Sequence, residues 1–129
     1  MTGEELVFVY GTLRRGYVNH HLLRGARGLG PARTLRPYAL YLGEFPYLVE
    51  QEPVCAIVGE LYAVSPAGLR LLDQLEEHPD WYQRRQVPVS DDQGQTRQAW
   101  VYFFPQPQGR LLASGDLAQA SGYTGGEGP

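Results

Sequence analysis

The chain has 129 residues with 43% hydrophobic side chains and a net charge of −3, which fits one soluble globular domain and excludes disorder for most of its length. All eleven basic residues are arginine and no basic stripe dominates, which argues against nucleic acid as a partner. The single cysteine excludes an internal disulfide, no apolar run approaches the roughly 20 residues of a bilayer span, and the Met-Thr-Gly-Glu-Glu start carries no basic region ahead of an apolar one. A single domain over residues 1–120 is therefore expected, cytoplasmic and without membrane contact, a monomer or weak homodimer, followed by a flexible tail over 121–129.

The first element is a buried strand from Leu6 to Tyr10, apolar, β-branched and aromatic throughout, which stops at Gly11. The turn after it is chemically rich. Gly11 lets backbone approach whatever lies above the strand end. Thr12 offers a hydroxyl, Gly11 to Leu13 offer successive backbone N–H groups, and Arg14 and Arg15 add positive charge. Such a turn can hold an anion or a polarised carbonyl without a metal; the bland reading is a solvated basic turn. A short helix is expected over Asn19 to Leu23, capped by Asn19. Gly25, Gly28, Gly30 and Pro31 read as a loop, and Arg33 to Leu42 as an edge or bulged strand interrupted by Pro37. Gly43 to Pro46 is a turn, and Tyr47 to Val49 a short extended piece. Val54 to Val64 reads as one strand with a kink or bulge at Gly59.

Ser65-Pro66 opens the one clear helix, with Ser65 as N-cap and Pro66 where a missing N–H is harmless. It is expected to run to about Glu77 and stop before Pro79. Two strands follow, Arg84 to Val89 and Gln98 to Phe104, joined by the turn Asp91-Asp92-Gln93-Gly94. More strands than helices, with one good helix to cover a sheet, give an α+β domain: a curved mixed sheet or small β-barrel with one main packed helix.

The helix carries an anomaly. Leu69, Leu72 and Leu75 form its apolar stripe, and Glu76 projects from the same stripe, seven residues after Leu69 and four after Leu72. The helix dipole at that end and partial burial both push its pKa upward, which suits a general acid or base near neutrality. The competing reading is a frayed helix end with Glu76 in water beside Glu77 and Asp80. Asp73, four after Leu69, is the alternative carboxylate. Tyr82 can supply a hydroxyl to a site, and Arg84 can partner a carboxylate or simply begin a strand. Cys55 reads as a small buried hydrophobe. His20, His21 and His78 match no ligand spacing, so no metal is expected, and phosphate-loop, dinucleotide and Gly-x-Ser-x-Gly signatures are absent.

The run Tyr10-Gly11-Thr12-Leu13-Arg14-Arg15-Gly16 with Asn19-His20, then Gly59-Glu60-Leu61-Tyr62, Leu72-Asp73-Gln74-Leu75-Glu76 and Tyr82-Gln83-Arg84, resembles the gamma-glutamylcyclotransferase-like (AIG2-like) family, most of all its gamma-glutamylamine cyclotransferase branch. Ser114-Gly115-Asp116 looks like that family's terminal motif, with Leu117 where an aromatic residue is often found. The resemblance implies a cofactor-independent cyclotransferase acting on a small gamma-glutamyl amine, amide or isopeptide. The substrate's α-amine closes a five-membered ring, releasing 5-oxoproline and an amine. Glu76 would be general base and then acid, with Tyr10, Gly11, Thr12, Leu13, Arg14, Asn19 and Tyr82 around the substrate. A non-catalytic module binding a small metabolite or peptide end on the same fold is the alternative.

Overall fold

The computed structural model describes residues 3–120; the tail expected over 121–129 lies outside the described residues. Nine named elements build it: β1 (Glu5–Val9), β2 (Arg27–Thr34), β3 (Ala39–Leu42), β4 (Pro46–Val49), β5 (Val58–Val64), α1 (Pro66–Glu76), β6 (Gln83–Ser90), β7 (Thr96–Phe103) and β8 (Arg110–Leu111). Five strands close into a barrel in the order β1-β5-β2-β6-β7, and β4, β3 and β8 form a separate small sheet. Every barrel pairing is antiparallel except the closing one, where β1 lies parallel to β7 with Val7 opposite Trp100. This is the α+β small barrel with one packed helix that the patterning implies.

The continuous apolar run of β1 has a physical reason: both faces of the strand are covered. Phe8 enters the cluster to which all five barrel strands contribute, with Ala32, Leu61, Val89 and Val101. Its neighbours Val7 and Val9 point the other way, into a second cluster with Leu69 and Leu72 of α1. The helix begins as its sequence dictates. Ser65 Oγ accepts the Gly68 N–H at 3.0 Å and Pro66 occupies the first turn. It ends at Glu76. Glu77 takes the left-handed conformation (φ 53°), its N–H reaching the carbonyls of Asp73 and Gln74, while the His78 N–H donates to Asp73 O at 2.9 Å.

Several elements depart from the sequence reading. Gly28, Gly30 and Pro31 do not form a loop: they lie within β2, which pairs with β5 on both sides of a register shift between Gly28 and Pro31. The bulge absorbs the glycines, so local punctuation misleads there. Arg33 to Leu42 is not one interrupted strand. β2 ends at Thr34, whose hydroxyl donates to Arg36 O at 2.8 Å and accepts the Ile57 N–H at 2.9 Å, and the chain restarts as β3 in the other sheet. Only Val58–Val64 of the expected Val54 to Val64 strand is in the barrel; Cys55 instead bridges to Tyr38. Gly59 is no bulge. It faces the end of β1, where a Cβ would collide with the Val9 carbonyl oxygen and the Phe8 ring. His20–Leu23 is a short 3-10 helix, and the Asn19 side chain makes no capping bond to it.

Candidate active site

One cavity of about 330 Å³ opens where the end of β1 meets the end of α1. Its floor and walls come from the turn after β1, from Asn19, from Phe45 ahead of β4 and Pro46 at its start, from Leu75 to Glu77, from Trp81 and Tyr82, and from Tyr102 of β7. Seven of the residues singled out from sequence therefore meet around one space: Tyr10, Gly11, Thr12, Leu13, Asn19, Glu76 and Tyr82.

The turn is braced from outside. Arg14 N–H donates to Gly11 O at 3.0 Å, Asn19 N–H to Thr12 O at 2.9 Å, and Asn19 Nδ2 to Thr12 Oγ1 at 2.9 Å. The Asn19 side chain thus serves the turn, while only its backbone carbonyl, accepting the Leu22 N–H at 3.0 Å, serves the helix that follows. No acceptor among the described residues takes the backbone N–H of Gly11, Thr12 or Leu13. These are donors in a row beside a cavity, the arrangement that holds an oxyanion or carboxylate. Gly11 sits in a crowded place: a Cβ there would lie 3.1 Å from Pro46 Cγ, so the proline ring would have to give by a few tenths of an ångström.

Glu76 lines the same cavity, half-buried, and burial pushes its carboxyl up to about 7. The frayed-helix reading fails, because Glu76 closes the last turn of α1 and its carbonyl accepts the Tyr82 N–H at 3.2 Å. Asp73, the alternative carboxylate, is occupied elsewhere. Arg84 grips it through Nε at 2.7 Å and Nη2 at 3.1 Å, and the Tyr102 hydroxyl donates to it at 2.7 Å. Burial works against its ionisation, but these donors and the Arg84 charge outweigh that and hold its carboxyl below the usual range. Arg84 is thus the partner of a carboxylate, one outside the cavity lining.

Arg14 does not line the cavity, a correction to the sequence reading. Its guanidinium turns away and pairs with Asp116 at 2.8 Å and Glu60 at 3.6 Å, with only 12% of the side chain exposed. The charge that seemed available to a substrate instead fastens the late Ser114-Gly115-Asp116 segment to the turn. Gly115 (φ +70°) can pass so close to Ala56 O, 2.5 Å from where a Cβ would stand, only because it is glycine. Asp116 also caps the turn after it, accepting the Ala118 N–H at 2.9 Å. Asp116→Ala leaves Arg14 half-paired and is expected to cost about 1–3 kcal/mol, read by urea denaturation, with Asp116→Asn recovering part of the loss. Unchanged stability in the alanine variant would show that the clasp holds nothing.

Sequence reasoning missed Tyr102, Phe45 and Trp81. Trp81 packs edge-on against Phe45 (5.7 Å) and Tyr82 (5.5 Å) and stays 39% exposed at the cavity mouth. Tyr82 stacks on Tyr47, and its hydroxyl donates to Pro46 O at 2.8 Å. The available signal was an aromatic pair, Trp81-Tyr82, directly after the helix stop, where core packing does not call for a tryptophan. Cys55 remains a bystander: it is partly buried and its thiol is pushed up by burial.

The family model "Gamma-glutamyl cyclotransferase, AIG2-like" matches residues 7–119. A Methanocaldococcus jannaschii protein, provisionally named gamma-glutamylcyclotransferase, is 43% identical over 119 residues, covering 92% of this chain and 99% of that protein. The human gamma-glutamylaminecyclotransferase is 48% identical over 93 residues, which are 65% of this chain and 61% of the human one. Among solved structures, a mouse AIG2-like protein superposes with a TM-score of 0.71 at 33% identity, covering 78% of this chain and 76% of the mouse chain. The chain belongs to the gamma-glutamyl cyclotransferase, AIG2-like family, and so to a family of enzymes. Among the described residues no helix is long and apolar enough to cross a membrane.

Proposed function

We propose that the protein releases 5-oxoproline from a gamma-glutamyl amine, amide or isopeptide, with Glu76 as general base and then acid. The observation that carries this reading is a carboxyl poised near neutrality that lines one cavity together with the residues of three unclaimed backbone N–H groups. A gamma-glutamyl compound carries its own nucleophile. Glu76 removes a proton from the α-ammonium, the freed nitrogen attacks the γ-carbonyl carbon, and the carbonyl oxygen becomes an oxyanion received by the N–H groups of Gly11 to Leu13. The protonated Glu76 then gives its proton to the departing nitrogen as the C–N bond breaks. The regenerated carboxylate takes the remaining extra proton from the ring nitrogen, leaving the neutral lactam, and the freed amine carries that proton away as its ammonium, so two protons leave the α-nitrogen and both end on the departing one. Holding amine against carbonyl contributes by proximity, worth about 7–11 kcal/mol in favourable cases.

The leaving group faces Trp81, Phe45, Val18 and Glu77. Among the described residues the cavity lining includes two carboxylates and no cationic side chain. An amine with a hydrocarbon stem suits such a mouth better than an amino acid whose α-carboxylate adjoins the scissile bond. The test is 5-oxoproline release from a panel of gamma-glutamyl dipeptides, ε-linked lysine, simple amines and glutathione. Release is expected from the amines and the isopeptide at least tenfold faster in kcat/KM than from the dipeptides. No release from any member, with saturable binding of one of them, would return the binding-module reading.

A further inference from the structure

All three phenols at the cavity commit their protons away from Glu76. Tyr10 donates to Tyr102 O at 2.6 Å, and its own oxygen accepts from the Leu48 backbone. Tyr82 donates to Pro46 O at 2.8 Å. Tyr102 donates to Asp73 Oδ1 at 2.7 Å. A phenol has one proton and two lone pairs, so a hydroxyl whose proton is fixed can only accept from whatever enters the cavity. Of the three, Tyr102 alone is oriented by a charge, and no donor among the described residues reaches its lone pairs. The charge is itself locked in place. Arg84 holds Asp73 with two bonds and lies 4.2 Å over the Trp100 ring, and Trp100 Nε1 donates to Glu5 at 2.9 Å. This chain ties α1 to β6, β7 and β1.

We propose that Asp73 is a positioning residue acting through Tyr102: by taking the phenol proton it presents the Tyr102 oxygen to the cavity as an acceptor for an N–H of the substrate's α-ammonium, beside Glu76. The inference rests on the cyclotransferase reading above. An ammonium carries three donors. Glu76 takes the proton to be removed while Tyr102 holds a second, which fixes where the nitrogen lone pair points once the first has left. A Tyr102 hydroxyl free to rotate would donate to the Glu76 carboxylate instead. It would then lower the basicity of Glu76 and compete with the ammonium for it. The ionisable groups around Glu76 are Tyr10 from the end of β1, Tyr102 from β7, Tyr82 ahead of β6, and Asp73 and Glu77 of its own helix end. Arg84 of β6 stands behind Asp73, and His78 meets the Tyr102 ring edge-on at 6.4 Å.

The test compares KM and the acid limb of the kcat/KM–pH profile in three variants, using the best substrate of the panel. Tyr102→Phe leaves the Asp73–Arg84 pair intact. It is expected to raise KM about tenfold and to leave the acid limb where it is, since the lost hydroxyl donated nothing to Glu76. Asp73→Leu/Arg84→Met removes the pair with no change of net charge, and the released hydroxyl is expected to move the acid limb down by about one pH unit. Adding Tyr102→Phe to that double variant returns the limb to its wild-type position, which a merely structural role would not do. An unchanged KM in Tyr102→Phe, an acid limb raised by a unit in that variant, or a shift that persists in the triple variant would each overturn the proposal. Should the double variant not fold, Tyr102→Phe decides alone. A wild-type protein that releases no 5-oxoproline overturns the underlying reading; one that turns over while Tyr102→Phe keeps its KM overturns this inference only.

Discussion

A Glu76→Gln variant is expected to fold, to lose about 10³-fold or more in kcat, and to be more stable than the wild type above neutrality. The first two outcomes follow from its place in the cavity: an amide of the same shape keeps the packing of Leu75 and Tyr82 but cannot take a proton. The third follows from burial. The unfolded chain releases the Glu76 proton near its ordinary value of 4.5, while the folded protein holds it to about 7. Between those values the folded state binds more protons, so this carboxyl withdraws stability as pH rises through the window and withdraws its full share above 7. The variant should match the wild type at pH 4 and exceed it by about 2–3 kcal/mol at pH 8, read by urea denaturation at both values. Wild-type kcat/KM should fall on the acid side of about 7 for the same reason. Turnover surviving in the folded variant would remove Glu76 from the mechanism.

Gly59→Ala is expected to be the most damaging small change in the barrel, at about 3 kcal/mol. The added methyl points at the Val9 carbonyl oxygen and comes within 2.8 Å of Phe8 Cζ. Neither can yield cheaply: one is backbone in a paired strand, the other a core ring with 1% exposure. The displaced strand end leads straight into Tyr10 and Gly11, so protein that still folds should also lose activity. Gly28→Ala, on the next strand, is the matched comparison. Its methyl meets only the edge of the Tyr62 ring at 3.4 Å, and a cost within about 1 kcal/mol is expected. Equal losses in the two would mean that the close approach at Gly59 is not the cause.

Much of the lining of the candidate site was legible in the sequence because two of its residues are local anomalies. Glu76 breaks an apolar stripe, and Gly11 ends an apolar strand abruptly; both signals lie within a single element. The barrel and its covering helix were legible for a similar reason, through a capped, amphipathic 66–76 segment and runs of strand-forming residues. What could not be read depends on distance along the chain. The destination of Arg14 is Asp116, 102 positions away, and the proton of Tyr102 belongs to an acceptor 29 positions back. Phe45 and Trp81 enter the cavity from separate loops, and no linear pattern says that the loops meet. β2 was hidden by its own glycines, which punctuate a loop in one context and a bulge in another.

The parallel seam between β1 and β7 also sets the order in which this chain can become a barrel. β1 precedes the other barrel strands in the chain, yet its antiparallel partner ends at Val64 and its parallel partner at Phe103. During translation a segment reading Leu-Val-Phe-Val waits with first two open edges and then one, the configuration that invites pairing with another chain. Closure joins positions about a hundred residues apart, a non-local step that comes late and slowly in folding. The strand that leads into the cavity turn is therefore the earliest of the barrel strands in the chain and the last secured, and the turn is held in place only when nearly the whole barrel has been synthesised.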